Sequence, residues 1–166
     1  MSAENLKSAA ITNATAVPLV KTNSNVGGGF LKEACGSITP AAAAEAASTY
    51  RFCRVPSNCR ISQLLIKCLA FTTAGNVDVG IYQTAENGGA VVDADLFASA
   101  YALTTARENV DITYESAEYS SAESEKMLWE VLGLSADSCR EYDVAATVTT
   151  AFNGGQPMHL KVRFAV

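Results

Sequence analysis

The sequence predicts an all-β fold: an antiparallel β-sandwich or jelly roll with an extended N-terminal arm and one or two short helices. Three observations predict it. Apolar and polar residues alternate with a period of two in several short runs, which places one face of each run in a core. Turn-forming residues separate those runs. The first 47 residues also differ in composition from all that follows.

Residues 1–47 hold twelve alanines, the triple glycine Gly27-Gly28-Gly29 and one aromatic, Phe30, and their formal charge is zero. Such a stretch has little with which to build a core, so it reads as an extended arm with a strand over Phe30–Ile38. The run Ala41–Ala47 after Thr39-Pro40 suggests two helical turns, too short to be stable alone. The body, residues 48–166, begins with a strand at Tyr50–Val55 and a break at Pro56-Ser57-Asn58. Ile61–Leu69 is apolar on both faces except for Gln63 and Lys67, as suits a central strand or one covered on both sides.

Four further runs alternate. Val77, Val79 and Ile81 form one inward set, and Val110, Ile112 and Tyr114 a second. Val144, Ala146 and Val148 make a third, and Met158, Leu160, Val162, Phe164 and Val166 a fourth. Asn87-Gly88-Gly89 reads as a tight turn. Asn153-Gly154-Gly155 reads as a hairpin between the last two strands, because Asn and Gly tolerate positive φ. Ser120-x-x-Glu123 has the form of a capping box opening a helix through Met127, Leu128, Val131 and Leu132, stopped by Gly133. Asp93 is expected to cap a turn or two containing Leu96, Phe97 and Tyr101.

Size and charge exclude several classes. A chain of 166 residues with 49% hydrophobic and 17% charged residues is suited to one folded domain. Its net charge of -5 is the opposite of what phosphate neutralisation demands, so no nucleic-acid partner is expected. No apolar run reaches the roughly 20 residues that span a bilayer, and the opening Met1-Ser-Ala-Glu-Asn-Leu-Lys lacks the apolar core of a signal peptide. No membrane partner and synthesis in the cytoplasm follow as expectations. Cys35, Cys53, Cys59, Cys68 and Cys139 are odd in number and never spaced C-x-x-C, which suits reduced, mostly buried thiols.

The chemical inventory is thin. The one histidine, His159, alternates with Lys161 and Arg163 on the expected solvent face, and nothing in sequence sets a nucleophile beside it. Asp93-x-Asp95 lacks the remaining ligand spacing of a calcium loop, and the triple glycine is not followed by Gly-Lys-Ser/Thr. No catalytic residue, metal ligand or cofactor is assigned, and the protein is not expected to be an enzyme.

Charge segregation stands out. Arg51, Arg54, Arg60 and Lys67 form a stretch without an acid, and Glu108, Asp111, Glu115, Glu118, Glu123 and Glu125 one without a base. Such patches either meet across subunit contacts, face each other within one chain, or are simply solvated.

Several segments resemble small structural proteins of tailed-bacteriophage heads. They are Arg54-Val-Pro-Ser-Asn58, Asp78-Val-Gly-Ile-Tyr82, Gly88-Gly-Ala-Val-Val-Asp-Ala-Asp-Leu-Phe97, Leu128-Trp129 with Gly133-Leu134, and Tyr142-Asp-Val-Ala145. The resemblance runs from about residue 30 onward and is one of texture and order, without a catalytic motif. By analogy with jelly-roll cement and decoration proteins, it implies a β-sandwich on the capsid exterior of a virion. Its partners would be the major capsid protein and copies of itself, in a homo-oligomer on the shell. The implied interface residues are Leu19, Val20, Phe30 and Leu31 in the arm, with Arg51, Arg54 and Arg60 as charged partners. Trp129 is expected in the core or as an interface anchor. The alternative is a tail, baseplate or fibre component that binds a glycan, for which Tyr82, Tyr101, Tyr114 and Tyr119 would supply an aromatic platform.

Overall fold

The computed structural model describes residues 4, 6–41, 43–71 and 75–166; parts of the opening heptapeptide and of the alanine run lie outside them. Eight antiparallel strands form two four-stranded sheets. They are β1 (Leu31–Ile38), β2 (Thr49–Pro56), β3 (Arg60–Cys68), β4 (Asn76–Gln83), β5 (Val91–Ala102), β6 (Arg107–Asp111), β7 (Glu141–Thr150) and β8 (Met158–Ala165). The first sheet runs β1-β8-β3-β6 and the second β2-β7-β4-β5. Consecutive strands repeatedly change sheets, and this order is that of a jelly roll. Among the described residues, two short α-helices, α1 (Ala9–Ala14) and α2 (Leu128–Val131), and one 3-10 turn, Ala85–Asn87, complete the fold.

The alternating residues fill the space between the sheets. Val77, Val79 and Ile81 from β4, Val144, Ala146 and Val148 from β7, and Met158, Leu160 and Val162 from β8 are all buried. Strand β3 lies between β8 and β6. Ile61, Leu64 and Ile66 enter the core, while Leu65 is covered on the other face opposite Lys161. Gly36 matters for closure. A Cβ there would stand 2.1 Å from the Phe52 carbonyl oxygen, so only glycine lets β1 lie against β2 where the two sheets meet.

Several local expectations are corrected. Asn153-Gly154-Gly155 does not close a hairpin, because β7 and β8 belong to different sheets. The segment crosses between them and rests on residues 40–41, with the Gly155 amide donating to the Pro40 carbonyl at 2.9 Å. The alanine run is not helical where described. Ala44 forms a two-way bridge with Phe152 at 2.9 and 3.1 Å, and the Ala47 amide bonds the Val148 carbonyl at 2.8 Å. Asp93 caps no helix; it lies inside β5, a bulged strand in which Ala100 takes a positive φ of 50°.

The Ser120–Glu123 pair makes only half of the expected box: the Ser120 amide and hydroxyl donate to the Glu123 carboxylate, but the hydroxyl accepts from the Ala122 amide and the Glu123 amide bonds the Ser120 carbonyl. It organises turns only. The helix opens later, at Leu128, where the Met127 amide donates to Glu130 at 2.7 Å, and Gly133 follows with φ 68°. Tyr114 is not inward either. Strand β6 ends at Asp111, so Tyr114 sits in the following turn, 46% exposed and stacked on Tyr119 at 5.7 Å. Tyr119 instead fills the core, edge-on to Phe97, and its hydroxyl donates to the Ile61 carbonyl at 2.8 Å.

Candidate interface

Segment 6–30 precedes the first strand and buries none of its large apolar side chains. Helix α1 begins after Ser8, whose hydroxyl accepts from the Ile11 amide at 3.4 Å, and contains no buried residue. Thr12 and Thr15 hydroxyls donate back to the Ser8 and Ile11 carbonyls at 2.9 and 3.0 Å. Val17 is 98% exposed, and Leu19 and Val20 beyond it are also in solvent. Phe30 is 82% exposed and Leu31 follows it outward, although the Phe30 backbone is fixed to Val166 by two hydrogen bonds of 3.1 Å. All four arm residues singled out by sequence therefore present their side chains outward.

The root of this segment is tied down by polar contacts that the sequence did not reveal. Asn25 donates to the Asn58 carbonyl at 2.9 Å, and the Arg60 guanidinium donates to the Asn25 carbonyl at 2.9 Å and to the Ser124 carbonyl at 3.3 Å. Arg60 thus holds the chain ahead of β1.

Arg51 and Arg54 also have partners within the chain. Arg51 donates to Asp143 at 2.8 Å and to the Gln83 and Gly89 carbonyls at 2.6 Å each, and it lies over the Tyr82 ring. Arg54 donates to Asp143 at 2.9 Å and to Glu86 at 3.2 Å. Asp143 is buried, so two guanidiniums hold one carboxylate whose charge would be costly unpaired. Bonding to Asp143 and the charge of Glu86 raise the Arg54 pKa. Of the two segregated charge runs, Lys67 and Glu108 meet within the chain, at 2.8 Å.

On the outer face of the first sheet, Glu33 bridges Arg163 at 3.0 Å and Lys161 at 3.4 Å. Arg163 also donates to Gln63 at 2.9 Å, and Gln63 to Asp111 at 2.9 Å. The hydrogen bond from Arg163 holds Glu33 below the usual carboxylate range.

His159 borders a shallow depression of about 340 Å³, lined also by Ser37, Lys67, Cys68, Leu69 and Pro157. No carboxylate is among these lining residues, so the pairing that acid–base or nucleophilic chemistry would need is not assembled there. The carboxylates of Asp93, Asp95 and Glu118 lie within 4.8 Å of one another. The charges of Asp93 and Asp95 push the Glu118 pKa up, and burial followed by Asp95 does the same for Asp93. Of the four tyrosines considered as a glycan platform, Tyr82, Tyr101 and Tyr119 are buried. Trp129 is half-buried. No described helix is long and apolar enough to cross a membrane.

No family model matches the sequence, and no curated protein matches it. The fold is similar to that of a chain in the cyanophage Pam1 capsid asymmetric unit, with TM-score 0.51 and 13% identity over 100% of this chain and 99% of that one. It is also similar to a chain in the capsid of Ralstonia phage GP4, with TM-score 0.58 and 14% identity over 92% of this chain and 93% of that one. At such identities the likeness establishes a common fold over nearly the whole length of both chains.

Proposed function

We propose that this protein is a structural subunit of a phage virion, a cement or decoration protein that binds the outside of the head. In this reading the segment before β1 clamps neighbouring coat subunits, and free sheet edges add further contact. The arm is the segment up to residue 47, of which residues 6–30 reach outward while 31–41 and 43–47 root it in the body. Leu19, Val20, Phe30 and Leu31 are the contact residues on a neighbour. Arg60 positions the arm's root, while Arg51 and Arg54 are the charged partners, through the exposed surface left by their bonds to Asp143, Glu86 and the Gln83 and Gly89 carbonyls. The protein would be made in the host cytoplasm and would meet copies of itself on the shell.

One observation carries the reading. Among the described residues, seven of the twelve exposed large hydrophobics (Leu6, Ile11, Val17, Leu19, Val20, Phe30 and Leu31) lie ahead of or at the first residue of β1. A segment that leaves so much apolar surface in water gains by ordering on another protein. Many equivalent sites on one shell would multiply a weak single contact. The jelly-roll likeness to chains in two phage capsids supports the same assignment, as an argument from fold to role.

The test is quantitative mass spectrometry on particles purified from the native source, followed by rebinding of a chain lacking residues 2–28. A copy number in the hundreds and a folded deletion variant that no longer binds the shell are expected. About a dozen copies or fewer would move the protein to the neck or tail, and undiminished binding of the deletion variant would refute the arm's role.

A further inference from the structure

Exposed apolar side chains outside the arm gather at one acidic surface. Among the described residues, five large ones lie beyond Leu31, and three of them, Val91, Val92 and Tyr114, border that surface. Val91 and Val92 open β5 and run into Asp93 and Asp95. The Asp93, Asp95 and Glu118 carboxylates lie within 4.8 Å of one another. The Ser99 amide donates to Glu115 at 3.0 Å and its hydroxyl to Asp95 at 3.1 Å, which joins Glu115 to the group. Tyr114 precedes Glu115 and stacks on Tyr119, the neighbour of Glu118. Among the described residues, no ion pair neutralises any of these four carboxylates. Neither β5 nor residues 112–125 contain a base.

The backbone there is open as well. Strand β5 ends its sheet and pairs only with β4. The turns after β6 cover its middle, where the Ser116 and Tyr119 amides donate to the Phe97 and Leu96 carbonyls at 3.0 and 3.2 Å. Among the described residues, no segment besides β4 bonds the backbone of residues 91–95. Such an open stretch of strand can receive an extended chain, and the arm has the complementary chemistry. Residues 6–30 contain Lys7 and Lys21 and no acid, and neither lysine is in an ion pair among the described residues. Residues 19–23 lie in no helix, strand or turn and set Lys21 directly after the exposed Leu19 and Val20. Five residues of extended chain span about 17 Å, so this stretch and residues 91–95 match in length. The depression beside Leu69 has no carboxylate among its lining residues, and a lysine-bearing segment finds no counter-charge there.

We propose that residues 19–23 of one copy dock along residues 91–95 of a second copy. Leu19 and Val20 cover Val91, Val92 and Tyr114, and the Lys21 ammonium enters the group formed by Asp93, Asp95 and Glu118. Carboxylates this close repel one another, and a cation among them relieves the repulsion while its methylene stem adds apolar cover. Every copy offers one arm and one acidic surface, so the contact is head-to-tail and links copies in series around a shell. This contact rests on the clamp reading above for the crowding that brings copies together, and it names the next copy as the neighbour that receives Leu19 and Val20. Phe30 and Leu31 remain for the coat.

Light and isotopically heavy full-length chains are mixed at about millimolar concentration, the effective level that tethering to one shell creates, and treated with a carbodiimide. The reagent joins an amine to a carboxylate in contact with it. Mixed heavy–light peptides linking Lys21 to Asp93, Asp95 or Glu118 are expected. Lys21→Glu and Glu118→Lys, both at exposed positions, should fold as the parent does and each weaken self-association in sedimentation more than about tenfold, because like charges then meet. When light Lys21→Glu is mixed with heavy Glu118→Lys, the intact arm of the second meets the intact acidic surface of the first. Links should then return from heavy Lys21 to light carboxylates only. Lys21 links confined to chains of one isotope would place the arm on its own body and overturn the proposal. Mixed links to acids elsewhere, or none, would overturn it too. Clamp and contact fail separately: a chain that forms the mixed links without binding shells keeps the contact and loses the clamp, and one that binds shells without forming them does the reverse.

Discussion

The same residue types have opposite fates in two regions of this molecule. In the body, Val77, Val79, Ile81, Leu160 and Phe97 are removed from water. Between residues 6 and 31, Leu6, Val17, Leu19 and Phe30 stay in it. Hydrophobicity is similar, so residue type does not decide the outcome; a second layer does. Each strand of the body has an opposing sheet to receive its inward face. The N-terminal segment has a six-residue helix with no buried residue, then extended chain and turns, with no layer of its own. The difference teaches where the unsatisfied surface lies, and hence where a partner is needed.

Truncation gives the largest contrast. Leu160→Ala or Phe97→Ala should cost about 3–5 kcal/mol through lost burial and a residual cavity. Val17→Ala and Phe30→Ala should stay within about 0.5 kcal/mol, the usual range for surface changes. Denaturant melts of the isolated chain measure both. A Phe30→Ala loss comparable to that of Leu160→Ala would make the segment part of the fold and remove the contrast.

A second test falls on the border between the regions. Gly36→Val places a side chain where even a Cβ would meet the Phe52 carbonyl oxygen at 2.1 Å. The atom in the way is backbone and cannot swing aside, so β1 must lift away from β2 at a cost of about 2–3 kcal/mol. Hydrogen exchange should show β1 amides losing protection while β3, β4 and β7 keep theirs. Uniform loss across all strands would mean that β1 is integral to the cooperative core rather than its outermost attachment.

Period-two alternation made most of this fold readable, because inward residues of β4, β7 and β8 follow it without interruption. It failed where the backbone departs from a regular pleat. In β5, register shifts and the positive φ of Ala100 break the pattern, so Asp93-x-Asp95 and Leu96 looked like a helix start. Turn chemistry is also local. Asn153-Gly154-Gly155 announces a change of direction but carries no information on which sheet receives the next strand. Strand β1 is legible as a strand, but its membership of the body is not, since Ala34 and Gly36 are too small to signal a core face, and Gly36 is small because β2 lies so close.

Of the candidate site, the exposed apolar residues of the arm could be named from sequence, whereas the partners of the arginines could not. Asp143 lies outside the acidic run and inside an alternating strand, where it reads as an outward residue. Asn25, which joins the arm to Arg60, carries no charge and belongs to no motif. Its role depends on the chain passing beside Asn58 in three dimensions, which only the fold arranges.

The smallest effect is one of sign, and it separates the arm's root from the acidic loop. Glu33 on β1 has its pKa lowered, first by its hydrogen bond from Arg163 and also by Lys161. A carboxylate depressed in the folded state contributes stability above its ordinary value of 4.5, and that contribution is lost as pH falls through the folded pKa. Glu118 is the reverse. Repulsion from Asp93 and Asp95 raises its pKa, so its favourable contribution is present below the ordinary value and lost as pH rises through the raised one. Glu33→Gln should therefore be less stable than the parent at neutral pH and converge with it in acid. Glu118→Gln should be slightly more stable at neutral pH and likewise converge in acid. Both groups are open to solvent, so salt should shrink both differences. Thermal melts of the two variants from pH 7 down to about pH 3 measure the signs. Equal signs would mean that the network on the outer face of β1 does not hold this strand to β8, leaving the arm's root to the Asn25–Arg60 contact and the backbone ladder alone.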